Sequence, residues 1–246
     1  MPDIPQLGSI WVYLAASPLL GLTLTLCAYV CAYWIYRRCG FSPFANPVAI
    51  AIAIVGAILL ATGMSYQDYF SGAQFVHFLL GPATVALAIP LARQLPRLRR
   101  SFLPLFCGLF SGSLTAILSA VTITVLMGGS LQLAASIGPK SATTPIAMGV
   151  SEKLGGLPAL TAILVIATGI FGAVIARQLF NWLRIDSPAV RGFALGVTSH
   201  GIGTARAFQV SPEAGAFAAL GMGLNGILTA FLAPSLIPIV LGFLPR

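Results

Sequence analysis

Charged side chains are scarce in this sequence. Of its 246 residues, 13 are Lys or Arg and five are Asp or Glu, so charged residues make up 7% of the chain, against about 25% in a typical globular domain. A water-soluble surface cannot be built from so few charges. The composition therefore excludes a soluble enzyme, a nucleic-acid-binding protein and a secreted disulfide scaffold, and it indicates an integral membrane protein.

Cysteine and catalytic motifs are also sparse. Cys27, Cys31, Cys39 and Cys107 show no metal-ligand spacing with His or carboxylate residues, and we interpret them as small side chains packed in apolar helices. The sequence contains no HExxH or GxSxG motif and no paired intramembrane carboxylates. We therefore predict no metal, no cofactor and no enzymatic activity.

Apolar residues, in contrast, are abundant: 58% of the chain is hydrophobic, and the mean hydropathy is +0.96. The net charge of +8 is then a topology signal, because basic residues flank membrane spans on the cytoplasmic side. The start of the sequence lacks the basic region of a cleaved signal peptide. We expect a complete multi-pass protein of the bacterial inner membrane, whose first span also serves as the insertion signal.

A membrane span needs about 20 mostly apolar residues. Seven runs meet this requirement: residues 11–36, 46–64, about 74–92, 101–127, 157–183, 187–210 and 215–244. A shorter stretch, 130–150, carries Gly138, Pro139 and Lys140 at its centre, a combination that should break a helix. The sequence predicts an all-α polytopic fold of about 7–8 transmembrane helices, some of them discontinuous.

The arginines orient these spans. Those after the first and third spans place both following loops in the cytoplasm and the N-terminus outside; they are Arg37, Arg38, Arg93, Arg97, Arg99 and Arg100. If 130–150 crossed the membrane fully, Arg177 and Arg184 would fall outside. If this segment instead enters and leaves the membrane on the same side, Arg177, Arg184 and Arg191 all lie in the cytoplasm. The arginines therefore favour a re-entrant segment over one that crosses the membrane.

This topology divides the chain into four parts. Residues 1–45 form an N-terminal span and basic loop, and 46–128 a first three-helix repeat with a break at Gly81–Pro82. Residues 129–156 form the interrupted or re-entrant segment, and 157–246 a second repeat with a break at Gly201–Gly203. The repeats would be related by inverted topology. Paired discontinuous helices of this kind point to the binding site of a transporter.

The first candidate site is the stretch Gly-Pro-Lys-Ser-Ala-Thr-Thr-Pro at residues 138–145. It combines the charge of Lys140 with the hydroxyls of Ser141, Thr143 and Thr144 and with unpaired N–H groups at a helix start. A charge at mid-membrane costs about 2.5–3.5 kcal/mol and is usually functional. We predict that this stretch binds a small carboxylate.

The second candidate site begins at His200. Gly201 and Gly203 permit an unwound turn, and Thr204 suits the cap of the resuming helix. Arg206 can hold a carboxylate in bidentate fashion, while His200 can donate to a hydroxyl or carry a proton. With the first stretch, these residues form a predicted anion site.

Two further polar residues are candidate substrate contacts, and alternatives stay open for the charged ones. Thr84 follows the break at Gly81–Pro82, and Asn225 lies in a glycine-rich helix. Lys140 and Arg206 could instead lie near an interface and reach water or lipid phosphate. His200 could equally be a packed histidine bonded to a backbone carbonyl.

Four segments carry a likeness to a known family. Residues 80–88, 138–148, 154–156 and 199–207, with the motifs Lys-Ser-x-Thr-Thr-Pro and His-x-Ile-Gly-Thr-Ala-Arg, resemble the LrgB/CidB family of bacterial membrane proteins. The resemblance implies an antiholin-like or holin-like protein that modulates murein hydrolase activity and autolysis beside a small LrgA/CidA-type membrane partner. It also implies transport, since the plant plastid relative is a glycolate/glycerate translocator and bacterial relatives are linked to pyruvate.

The residues favour transport, because a holin-type lesion requires only oligomerising apolar helices. We predict a carrier of small 2-hydroxy or 2-oxo monocarboxylates that works by alternating access. In this hypothesis Lys140, Arg206 and the half-helix N-termini bind the carboxylate, and His200 couples a proton. The substrate hydroxyl is bound by the hydroxyls of Ser141, Thr143 and Thr204. An antiholin/holin-like regulator of autolysis is the alternative. We expect a homo-oligomer, with a dimer as the simplest state, embedded in lipid and without nucleic-acid partners.

Overall fold

The structure is a computed structural model, and it describes residues 18–42, 44–79, 82, 85, 86 and 88–243. All regular secondary structure in these residues is helical. The chain divides into two compact units, Met1–Ala86 and Leu87–Arg246. Each unit is built from helices whose ends are set by proline, serine, asparagine and glycine.

The first unit contains three helices: α1 (Pro18–Arg38), α2 (Pro47–Thr62) and α3 (Tyr66–Phe78). Helix α1 packs against both of the others. Its Gly21 lets it approach the backbone of α3 closely, because a Cβ at this position would overlap the carbonyl oxygen of Tyr69. Asn46 caps α2 by accepting hydrogen bonds from the first-turn N–H groups.

The second unit contains the remaining helices. In chain order they are α4 (Ala88–Arg93), α5 (Leu95–Arg100), α6 (Phe102–Leu126), α7 (Leu131–Ile137), α8 (Thr144–Lys153), α9 (Pro158–Trp182), α10 (Pro188–Val210) and α11 (Pro212–Phe243). Helices α9, α10 and α11 each begin at a proline. Proline lacks an N–H group, and at the first position of a helix this costs nothing because that N–H would have no acceptor within the helix. Ser130 and Ser187 cap α7 and α10 through their hydroxyls.

Four of the helices are long and apolar enough to cross a membrane: Leu19–Arg38, Phe102–Leu126, Pro158–Trp182 and Pro212–Gly242. They correspond to the first, fourth, fifth and seventh predicted spans. Helix α2 is apolar but shorter. The protein is therefore an all-helical, multi-pass membrane protein in its described part, while the larger predicted number of spans stays a prediction.

Helices α6 and α11 lie side by side and run in the same direction. Leu109 packs with Phe217 towards the start of both helices, and Val121 packs with Ile237 towards their ends.

Helix α9 runs the opposite way. Ala176, in its second half, packs with Ala214 at the start of α11. Val165, in its first half, packs with Ile146, whose Cδ1 lies 2.9 Å from the place where a Cβ of Gly226 would stand. The second unit thus has one end that carries Arg177 and the start of α11, called the basic end below, and an opposite end that carries the end of α6.

Helices α7 and α8 form a hairpin, called hairpin 1. The backbone N–H of Leu157 donates to Ser136 Oγ at 2.8 Å, so the chain returns after α8 to the place it left at the end of α7. Thr161 strengthens this closure by donating to Ser136 O at 3.0 Å and bonding Ser151 Oγ at 2.7 Å. With seven and ten residues, these helices reach only about 10 and 15 Å, half of a bilayer core or less.

Helix α10 also folds back on itself, and this corrects the prediction of a span over residues 187–210. Its backbone leaves helical geometry at Ser199 (φ −124°, ψ 15°) and His200 (φ 42°, ψ −131°). Leu195 and Ala207 then share one buried cluster, although twelve residues of unbroken helix would separate them by about 18 Å. A Cβ at Gly203 would stand 2.6 Å from Leu195 O. Residues 188–198 and 201–210 are therefore the two arms of hairpin 2.

Glycines let hairpin 2 lie against α11 at backbone distance. A Cβ at Gly192 would overlap the backbone of Ala214, and one at Gly196 would overlap that of Ala218. This pattern is the close helix packing that a GxxxG spacing permits. An apolar run of sufficient length predicts a crossing helix, but here the strained turn and the glycine contacts reverse the chain halfway.

Candidate functional site

The turns of both hairpins meet at Asn225, near the middle of α11. Its Nδ2 donates to Ser141 O in hairpin 1 and to Val197 O in hairpin 2, each at 3.0 Å. Its Oδ1 accepts a hydrogen bond from Ser113 Oγ on α6. The residue is completely buried. One amide group therefore joins two long helices to the two hairpins.

Asn225 is a predicted substrate ligand, but in this conformation its amide is bonded to three protein groups and it acts as a clamp.

Ser113 is a component of the site that the sequence did not predict. A serine in an apolar helix carries no local signal, and only the tertiary contact with Asn225 distinguishes it from the neighbouring Ser111.

The turn of hairpin 1 is shaped by backbone hydrogen bonds. The N–H of Lys140 donates to Ile137 O at 3.1 Å, and that of Ala142 donates to Pro139 O at 3.0 Å. Helix α8 starts at Thr144, later than the sequence predicts. Thr143 stands at its N-cap position, but its hydroxyl makes no capping bond.

The first turn of α8 offers further backbone donors. Pro145 has no N–H, so the N–H groups of Thr143, Thr144 and Ile146 remain for a ligand. The Ser141 side chain is buried, and those of Thr143 and Thr144 are half-buried. Three hydroxyls and three N–H groups thus lie on one short stretch, with a positive helix end behind them.

Lys140 brings a full charge to the same turn. It is half-buried, and its ammonium makes no hydrogen bond or ion pair with any part of the chain that the structure describes. An uncompensated cation beside buried apolar residues is costly unless an anion joins it. Lys140 therefore places an uncompensated positive charge at the turn of hairpin 1.

The turn of hairpin 2 is held by His200. Its side chain is 4% exposed, and Nε2 lies 2.9 Å from Val165 O, so Nε2 carries the proton and donates. Gly169 provides the space, because a Cβ there would stand 2.7 Å from His200 Cε1. The positive φ of His200 is rare for a residue with a side chain and costs about 1–3 kcal/mol. The packed-histidine alternative matches this geometry.

The neighbouring predicted residues also have defined positions. Gly201 is exposed at the turn, while Gly203 lies where the arms of hairpin 2 touch. Thr204 lies one turn inside the second arm and donates to His200 O at 2.8 Å. It is therefore bonded within its own helix and does not cap it.

Arg206 lies apart from these turns. It follows His200 by six residues, about 9 Å along the second arm, and it lines a cavity with Arg177 and Arg191 at the basic end. Its Nη1 donates to Gln209 Oε1 at 3.2 Å. The structure joins the turns of the two hairpins at Asn225, but it places Arg206 in the separate cavity at the basic end.

Thr84 and Gly81 lie outside the described residues, so the predicted contribution of Thr84 stays a prediction.

The two turns are close to each other. Ser141 O and Val197 O lie within 3.0 Å of the same nitrogen, and Val165 contacts both Ala142 and His200. Helix α8 and the second arm of hairpin 2 start here and run towards opposite ends of the unit. The starts of these two helices are therefore both near Asn225 and Val165, and the positive end of a helix favours an anion.

Comparison with known proteins identifies the family. The LrgB-like family matches residues 25–239. The chain is 36% identical to the protein YwbG of Bacillus subtilis over 219 residues, which is 89% of this chain and 97% of the relative. It is 30% identical to the holin-like protein CidB of Staphylococcus aureus, covering 89% of this chain and 95% of CidB. No solved structure matches. The chain belongs to the LrgB-like family.

Proposed function

We propose that the protein carries small monocarboxylates of the 2-hydroxy or 2-oxo type across the bacterial inner membrane by alternating access. The main support is that the turns from which α8 and the second arm of hairpin 2 start are both bonded to Asn225, near the middle of α11. Lys140 lies on the first of these turns and adds its positive charge there.

The charge at this place favours a monoanion. Each helix start contributes about half a positive charge, and Lys140 contributes one. Within the described ranges no carboxylate bonds Lys140. A single carboxylate neutralises the charge of Lys140 and accepts hydrogen bonds from the open N–H groups of α8. An apolar or cationic solute would leave these N–H groups unpaired.

Hydroxyl groups supply selectivity for the rest of the substrate. The Thr143 hydroxyl is free of a capping bond, and the Thr144 hydroxyl lies one residue further along the chain. Together with Ser141 they can bond a hydroxyl or oxo group next to the carboxylate. A site that hydrogen-bonds such a group discriminates strongly against the analogue that lacks it, because its own polar groups are left unpaired.

The directions of the helices support alternating access. Helix α6 leads into hairpin 1, and the oppositely directed α9 leads into hairpin 2; in this proposal these two pairs take the place of the predicted repeats 46–128 and 157–246 as the inverted units. Each hairpin enters from its own end and stops at the shared centre. Inverted repeats with discontinuous helices at the midplane are typical of secondary transporters. The basic end, with Arg177, Arg184 and Arg191, then faces the cytoplasm.

The experiment that tests the proposal is uptake of labelled glycolate into proteoliposomes loaded with glycerate, with an entrapped dye as leakage control. The chain offers a matched pair, because Lys140 and Lys153 are its only lysines. We expect saturable uptake with retained dye. Lys140→Gln should lower uptake about tenfold to a hundredfold, the loss of one or two charged hydrogen bonds, and Lys153→Gln should leave it unchanged. Equal uptake by both variants rejects the site.

A pore-forming or regulatory role is the second candidate function. It is favoured by the 30% identity to the holin-like protein CidB. In that case the wild-type protein releases the entrapped dye without selective uptake, and Lys140→Gln has no effect. For either function, a homodimer and a small LrgA/CidA-type membrane partner stay predictions.

A further inference from the structure

The second unit contains a cavity at its basic end that the proposed transport site does not use. It has a volume of about 280 Å³ and lies between α9, both arms of hairpin 2 and the start of α11. Three arginines contribute to its wall. Small apolar residues form most of the remainder, namely Ala173, Ala176, Leu195, Ala207, Val210 and Ala214.

The charged residues that line the cavity are all arginines, and none of its lining residues is acidic. Arg191 is fixed by hydrogen bonds from Nη2 to Asn181 Oδ1 at 2.8 Å and from Nε to Ile185 O. Asp186 Oδ1 lies 3.6 Å from the same guanidinium, but its side chain is 94% exposed. An exposed carboxylate of this kind is hydrated and neutralises little of the charge.

The other two arginines come from different elements. Arg177, on α9, has no hydrogen-bond or ion-pair partner in the described part of the chain. Arg206, on the second arm of hairpin 2, donates from Nη1 to Gln209 Oε1 at 3.2 Å and has a further interaction within the chain. Guanidinium groups that reach one cavity from α9 and from both arms match the planar oxygens of a carboxylate or phosphate.

We propose that this cavity is a second anion site, which holds a carboxylate or phosphate group attached to a short apolar body. Arg177 and Arg206 bind the anionic oxygens, Arg191 adds a fixed charge, and the apolar wall receives the hydrocarbon part. The volume admits a small organic anion or the headgroup region of an anionic lipid. Both sources present the same chemistry, and basic pockets between membrane helices on the cytoplasmic side bind lipid headgroups.

The test uses the full chain in nanodiscs and a matched pair of variants. Arg177→Gln removes the unpartnered arginine of the cavity. Arg184→Gln removes an exposed arginine of the same end that does not line it. Butanoate and inorganic phosphate are titrated by calorimetry into discs of neutral lipid. Native mass spectrometry then counts phosphatidylglycerol molecules retained from mixed discs. Lys140→Gln is measured alongside, to separate this site from the transport site.

A soluble ligand is indicated if butanoate or phosphate binds saturably, with affinity lowered about tenfold or more by Arg177→Gln and kept by Arg184→Gln and Lys140→Gln. A lipid ligand is indicated if only the retained phosphatidylglycerol follows this pattern. The proposal is overturned if neither ligand binds, or if Arg184→Gln weakens binding as much as Arg177→Gln. Transport is tested by Lys140→Gln and cavity binding by Arg177→Gln. The binding result can therefore be interpreted even if the protein proves not to be a transporter.

Discussion

The two hairpins share a shape but are held in different ways. Hairpin 1 has separate helices, a long turn that carries Lys140, and a closure made of hydroxyl groups around Thr161. Hairpin 2 has a tight turn at His200, and its first arm is held to α11 by glycine contacts. At the turns, the charge of Lys140 and the uncapped hydroxyl of Thr143 belong to hairpin 1. Hairpin 2 is closely packed and carries its charges, Arg191 and Arg206, on its arms.

The largest expected contrast is in sidedness, because the hairpins enter from opposite ends. The four native cysteines are exposed, so they are first replaced by serine or alanine. We then expect Lys153→Cys, beyond hairpin 1, to react with an impermeant thiol reagent from outside. Arg184→Cys, before hairpin 2, should react only after the membrane is opened. Reaction of both from one side contradicts the opposed hairpins.

The next effect concerns the residue common to both hairpins. Asn225→Ala leaves two buried carbonyl oxygens and the Ser113 hydroxyl without partners, and each such group costs about 1–3 kcal/mol. We expect destabilisation of about 3 kcal/mol or more, measured as a lower midpoint of thermal unfolding in detergent. Ser113→Ala should cost less, because it leaves both carbonyl bonds in place. Equal effects would show that Asn225 does not join the hairpins.

A smaller effect should distinguish the packing of the hairpins. Gly196→Ala places a methyl group against the backbone of Ala218, and such overpacking costs about 1–3 kcal/mol. Gly149→Ala, in hairpin 1, meets nothing within 4 Å and should stabilise its helix by up to about 1 kcal/mol. Opposite shifts of the unfolding midpoint are expected. Shifts of the same sign would mean that hairpin 2 is not packed at backbone distance.

The smallest effect concerns the closure of hairpin 1. Thr161→Val removes a hydroxyl that bonds Ser136 O and Ser151 Oγ, and we expect a loss of about 1–2 kcal/mol. Thr168→Val is the control, because that hydroxyl bonds only its own helix, at Leu164 O. Faster backbone hydrogen exchange in α8 should accompany the first substitution and not the second. Equal exchange in both would leave the closure without a role.

Much of this arrangement could be predicted locally. Proline and glycine between residues 138 and 143 break a helix wherever the segment lies, and the low charge requires a membrane. The place of Lys140 on the break between two short helices could be predicted for the same reason. The position of Arg206 could not be predicted from the sequence. It depends on the reversal of the chain at Ser199 and His200, which directs the second arm of hairpin 2 back towards the basic end.

By itself the sequence determined the membrane class, the family and the places where helices break, since composition and Gly-Pro chemistry act on each segment independently. The tertiary structure alone decided that residues 187–210 turn back, that Asn225 joins both hairpins, and that Arg206 lies with Arg177 and Arg191. These features depend on contacts between residues far apart in the chain. An apolar run of the right length satisfies the hydrophobic requirement equally well as a crossing helix or as a hairpin.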